Sequence, residues 1–156
     1  MRHMARKPGK QSSPPDLFES RRAEVEGHAS RVTEKIVAAT RRAKSEEDIR
    51  VAVERALGSF ADELGVRLEG DHEYTLLRGQ VDSVYGSVFI EYKNPSSAGD
   101  KLGPRLTSPG TRKVVKQIRG RFSDAAVVGG GSGSILGIGC DGRYFVFVRY
   151  SDGAVV

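Results

Sequence analysis

The stretch Gly79-Gln-Val-Asp-Ser-Val-Tyr-Gly-Ser-Val-Phe-Ile-Glu-Tyr-Lys93 limits what this chain can fold into more than any other part of it. β-Branched and aromatic residues dominate the stretch, and Gly86 supplies the backbone freedom that a tight turn needs. The pattern predicts a β-hairpin turning at Tyr85-Gly86. Val84 then pairs with Ser87, and Asp82 falls opposite Phe89. Side chains alternate across a strand, so Phe89, Glu91 and Lys93 share the face of Asp82. Two carboxylates and an ammonium on one patch suit a hard divalent cation beside a phosphate. The same residues also fit a plainer role. Glu-x-Lys is common as an ion pair on a solvated strand, an Asp near a turn often caps it, and a one-residue slip sends Asp82 to the other face.

Helices are expected on either side of the hairpin. Ser45-Glu46-Glu47-Asp48 reads as a capping box, followed by Ile49, Val53, Ala56, Leu57, Phe60 and Leu64 at helical spacing, with Gly65 as the stop. Glu54 sits on the shoulder of that apolar face, placed either to lean toward the carboxylates or to remain solvated beside Arg50 and Arg55. Downstream, Thr107-Ser108-Pro109 reads as a helix start with Ser108 as cap. Val114, Val115, Ile118 and Phe122 form its apolar stripe, with Lys113, Lys116, Gln117 and Gly120 on the other side.

With Asp82 on one strand and Glu91-Tyr92-Lys93 on the next, the chain resembles the PD-(D/E)XK nuclease superfamily, the restriction-endonuclease-like fold. Val81 stands where that family usually has Pro. The Gly79-x-x-Asp82 and Glu-Tyr-Lys-x-Pro surroundings look most like nuclease domains of restriction–modification methylases. The resemblance spans roughly residues 45–150 and implies a mixed sheet flanked by helices, with metal-dependent hydrolysis of DNA phosphodiesters. It implies Mg²⁺, replaceable by Mn²⁺, held by Asp82, Glu91 and the Tyr92 carbonyl, with Lys93 acting on the attacking water or the phosphate. A metal-proximal Glu from the first core helix is implied too; Glu54 matches best and Glu63 less well. Gln117-Ile118 matches the Gln-Ile pair many members carry on the helix after the Glu-x-Lys strand, so Gln117 is implied to position water or phosphate.

Charge is distributed in keeping with that expectation. The formal net charge is +5, of which Arg2, Arg6, Lys7 and Lys10 in the first fifteen residues supply +4. Yet Lys101, Arg105, Arg112, Lys113, Lys116, Arg119 and Arg121 follow one another without an acidic residue among them. A basic block directly after the hairpin is what a polyanionic backbone needs, and these seven are the expected DNA contacts. A solvated basic face with no partner remains the alternative for any one of them.

The rest of the chain predicts an α/β domain. Residues 1–15 read as a disordered basic tail, residues 16–44 as a helical extension with Val25, Ala29, Val32 and Ile36 as its stripe, and residues 45–156 as the nuclease-like domain. Strands are expected at Glu69–Leu77, Ala125–Val128, Ser134–Gly139 and Tyr144–Tyr150, the last entered through an Asp141-Gly142 turn. Gly137-x-Gly139-x-x-Gly142 precedes a strand, not a helix, so no dinucleotide fingerprint is read there. Gly129–Ser134 lacks the Lys-Ser or Lys-Thr of a phosphate loop and reads as a flexible connection. Cys140 is the sole cysteine, and His3, His28 and His72 are scattered, which excludes a disulfide framework and a Cys or His metal cluster. No stretch approaches the ~20 apolar residues of a membrane span, and no signal peptide is recognisable, so a cytoplasmic location without membrane contact is expected. Partners implied beyond DNA are a methyltransferase or specificity domain, or a second copy of the chain. Two other functions fit the same residues: a catalytically silent nucleic-acid-binding domain of this fold, and a scaffolding domain that pairs through its first helix.

Overall fold

Ser45 divides two helices by satisfying the second one's free amides. Its hydroxyl accepts from the Asp48 amide at 3.1 Å, and Asp48 Oδ2 accepts from the Ser45 amide at 3.0 Å, so the capping box forms as read. The computed structural model describes residues 17–68, 71–76, 79–128, 134–151 and 154–155. Its helices are α1 (Leu17–Thr40), α2 (Glu46–Glu63) and α3 (Pro109–Val128). Its strands are β1 (Asp71–Leu76), β2 (Gly79–Tyr85), β3 (Val88–Tyr92), β4 (Ile135–Cys140), β5 (Phe145–Ser151) and β6 (Ala154–Val155). The expected basic tail and residues 129–133 of the expected glycine-rich connection lie outside the described residues.

The protein is α/β with one mixed sheet, ordered β1-β2-β3-β4-β5-β6. Only β3 and β4 run parallel, because α3 carries the chain between them; the other neighbours are antiparallel. The hairpin forms, with Gly86 at φ +58°, but its register differs from the reading above. Tyr85 pairs with Val88 and Val84 with Phe89, so Gly86-Ser87 is the turn and Asp82 is carried toward Glu91 instead of Phe89. The displacement is two residues along β3, so every side chain keeps its expected face.

Helices cover both faces. On one side α3 buries Val114, Ile118 and Phe122 against Phe89, Val146 and Val148. Gly137 and Gly139 let it approach closely: a Cβ at Gly137 would lie 2.3 Å from Ile118 Cγ2, and one at Gly139 2.9 Å from the Val114 methyls. On the other side Ile36 of α1 and Ile49, Val53 and Ala56 of α2 pack on Ile90, Tyr92 and Cys140.

Two expectations are corrected. Ala125–Val128 is not a strand but the last turn of α3, since a short apolar run has no period that separates strand from continuing helix. Ala29 is exposed, and the buried side of α1 runs instead through Val25, His28, Val32 and Ile36. His28 packs edge-on against Phe60, with Nδ1 2.6 Å from Glu63 Oε2. Among the described residues no helix is long and apolar enough to cross a membrane.

Candidate active site

The ladder between β2 and β3 runs from Tyr85–Val88 to Ser83–Ile90. At the next position Asp82 Oδ2 accepts from the Tyr92 backbone amide at 2.6 Å, a side chain closing the gap between two strands. This bond fixes the Asp82 carboxylate beside Glu91.

Glu91 is 4% exposed and engages two cations. Lys93 Nζ lies 3.7 Å from Oε2, and Arg121 Nε donates to Oε1 at 3.4 Å. Lys93 is itself 7% exposed, held down where β3 ends by its amide donating to the Cys140 carbonyl at 2.8 Å. Burial, reinforced by the negative charge of Asp82, nevertheless pushes the Glu91 carboxyl above the usual range, outweighing Lys93 and Arg121. Burial thus costs ionised Glu91 more than its two cations return.

A further acid reaches this cluster from α2. Glu46 Oε2 stands 4.0 Å from Lys93 Nζ. Its carboxyl is also raised, first by burial and then by Asp82 and Asp100, against the opposing effect of Lys93 and Lys113. The sequence reading treated Glu46 only as part of the helix cap. The signal for it was its place in the first turn, where a helix end packed at the strand termini directs a side chain across them.

Glu54, the helical acid singled out from sequence, is not brought to this cluster. It accepts from the Ser83 hydroxyl and lies 3.6 Å from Arg50 Nη1, on the α2 face of the sheet. Ser83 pairs with Ile90, which packs under α2, whereas Glu91 turns to Arg121 on α3, so Glu54 sits behind the sheet from Glu91. Glu63 lies farther off, between His28 and Arg31. The Tyr92 ring points to the same rear face, buried beside Ile49 and Val53, while its backbone edges the cluster.

Gln117 occupies the turn of α3 before Arg121, on the same side of the helix. Its Oε1 is buried and accepts no hydrogen bond among the described residues. A buried acceptor left open costs free energy, and a bound water would satisfy it. Of the seven cationic residues expected to meet DNA, Arg121 points inward to Glu91 and Lys113 pairs with Asp100. Lys101, Arg105, Arg112, Lys116 and Arg119 are exposed.

Among the described residues no group of three or more His, Cys, Asp or Glu side chains is gathered as a ready-made metal site. Asp82 and Glu91, with the Tyr92 carbonyl, are the groups that would hold a cation keeping most of its waters, the habit of Mg²⁺. The raised Glu91 carboxyl is the feature that such an ion would relieve. No family model, no curated protein and no solved structure matches this chain.

Proposed function

We propose that the protein is a metal-dependent DNA endonuclease with the restriction-endonuclease-like fold, the nuclease part of a restriction–modification system. One observation carries the reading: Asp82, Glu91 and Lys93 converge at the end of one hairpin, with Asp82 tied to the Tyr92 amide and Lys93 Nζ 3.7 Å from Glu91. The succession helix, antiparallel hairpin, helix, then a strand parallel to β3 supports the fold assignment.

Mg²⁺ or Mn²⁺ bound through Asp82, Glu91 and the Tyr92 carbonyl would supply Lewis acidity toward a phosphate oxygen and an attacking water. The chain's own groups do the rest. Asp82, anchored through the Tyr92 amide, holds its remaining lone pairs toward the ligand position without needing to reorganise. Lys93 presents its ammonium beside Glu91, where it orients the nucleophile and stabilises charge developing on the phosphate. Gln117 Oε1 accepts a hydrogen bond from the attacking water, and Arg121 holds Glu91 in place. The exposed cations from Lys101 to Arg119 engage the DNA backbone.

A second reading, a catalytically silent nucleic-acid-binding domain, is favoured by Arg121, whose ion pair already compensates part of the Glu91 charge. Plasmid and single-stranded DNA incubated with Mg²⁺, Mn²⁺ or EDTA, with Lys93→Ala alongside, separates the two. Metal-dependent cutting lost in the variant supports the nuclease. Salt-sensitive binding without cutting selects the silent domain, and cutting that survives Lys93→Ala removes the hairpin from the mechanism.

A further inference from the structure

Phe145 and Phe147 are large apolar side chains that folding leaves 41% and 64% exposed. Their rings lie within 17° of parallel, with centroids 6.4 Å apart. Alternation along β5 explains their side: Val146 and Val148 are buried in the α3 layer, so Phe145, Phe147 and Arg149 face the other way. The layer of α1 and α2 covers Cys140 and touches Ile138 on β4, the partners of Phe145 and Phe147, but the two rings remain outside it. β6 pairs only with Tyr150 and Ser151, so the aromatic strip also runs along a sheet edge among the described residues.

Among the described residues, the exposed charged side chains of β5 and the turn before it are arginines. Arg143 and Arg149 are exposed at either end of the strip. Exposed Arg41 and Arg42 follow α1, whose end is tied to this corner by the Thr40 hydroxyl and the Gly142 carbonyl, 3.2 Å apart. The acid of the β4–β5 turn, Asp141, is buried, and its oxygens accept from the amides of Leu102, Arg143 and Tyr144.

We propose that this strip binds single-stranded nucleic acid, with bases stacked on Phe145 and Phe147 and phosphates held by the arginines. Flat apolar rings framed by cations match a ligand that is planar and apolar in its bases and anionic along its backbone. A second copy of the chain is a poorer match, because a two-fold contact would set this arginine-rimmed patch against itself. The placement also makes sense beside the hairpin. Tyr92, Cys140 and Phe145 are register neighbours on β3, β4 and β5, so the strip begins two strand spacings, about 10 Å, from the end of β3. It lies on the opposite sheet face from Glu91, and it does not depend on hydrolysis occurring there.

The test is fluorescence anisotropy of a labelled oligo-dT strand with the whole chain in EDTA, which separates binding from any metal-dependent cutting. Phe147→Ala is expected to weaken binding by about 5- to 150-fold, the range for one stacked base. Phe147→Trp should retain it. Arg149→Ala should lower the slope of log affinity against log salt by about 0.7. The thermal midpoints of these variants should match the parent, since the replaced groups are exposed. No binding by the parent chain, or equal binding by a Phe145→Ala, Phe147→Ala double variant, overturns the proposal. So does a parent dimer in sedimentation that Phe147→Ala dissociates, which would make the strip an interface between copies.

Discussion

Replacing Lys93 by methionine keeps most of the aliphatic stem and removes the charge, so it isolates what the ammonium does for Glu91. The two side chains are 8% and 5% exposed, with Nζ 3.7 Å from Oε2. At an effective dielectric of about 20 that separation corresponds to about 4.5 kcal/mol of gross attraction. The net loss is smaller, because Arg121 remains 3.4 Å from the same carboxylate and Glu91 can take up a proton. We expect about 3 kcal/mol of destabilisation at pH 8, the low end for breaking a buried pair, or a fall in Tm of about 6–12 °C for a domain of this size. The pH dependence has a definite sign. Glu91 already has a folded-state pKa above its unfolded value, and removing Lys93 raises it further. Such a carboxyl costs stability while ionised, above its folded pKa, and the cost vanishes as pH falls below its unfolded pKa. The deficit of Lys93→Met should therefore shrink between pH 8 and pH 4. Thermal denaturation of the parent, Lys93→Met, Glu91→Gln and the double variant reads all of this, and the double variant should lose much less than the sum of the singles. A deficit equal at both pH values and undiminished in the Glu91→Gln background would refute the argument, leaving Lys93 with only a packing role.

Three other outcomes are expected. Mg²⁺ or Mn²⁺ should raise Tm more at pH 8 than at pH 5, because the raised Glu91 and Glu46 carboxyls bind protons in competition with metal; Asp82→Asn should abolish the shift in a melting series. Glu46→Gln should weaken that metal-induced shift, whereas Glu54→Gln, on the other sheet face, should leave it intact while lowering Tm in the absence of metal by loss of the Ser83 and Arg50 contacts. Gly137→Ala should destabilise by about 1–3 kcal/mol in urea titration, as its Cβ would press on Ile118 Cγ2 and the Phe89 ring.

What could be read from the chain was local. Ser45 with Asp48, and Ser108 followed by Pro109, mark helix starts through groups within a few residues of one another, and both starts stand where those residues put them. The hairpin was legible for the same reason, and so was the approach of Asp82 to the Glu91–Lys93 segment. Strand periodicity records only odd or even, so a register two residues from the expected one left the faces unchanged. The extent of α3 was not legible, because Ala125-Ala-Val-Val128 has no local property that separates a last helical turn from a short strand.

The choice between Glu46 and Glu54 shows where sequence stops. Both lie on α2, and helical spacing puts Glu54 beside the apolar face, which made it the natural candidate. Which acid meets Lys93 depends on how α2 is rotated and how far along the sheet it sits. That was decided by Ile49, Val53 and Ala56 seating on Ile90, Tyr92 and Cys140, residues distant in the chain. The same docking turned Glu54 to Ser83 and set Glu46 over the strand ends. By itself the sequence determined where the helices begin and which side chains of the hairpin share a face, since each depends on near neighbours and a fixed period. Only the tertiary structure decided which acid completes the cluster, which cation turns inward to Glu91, and which aromatics stay exposed on β5, since each depends on packing between elements for which no local pattern exists.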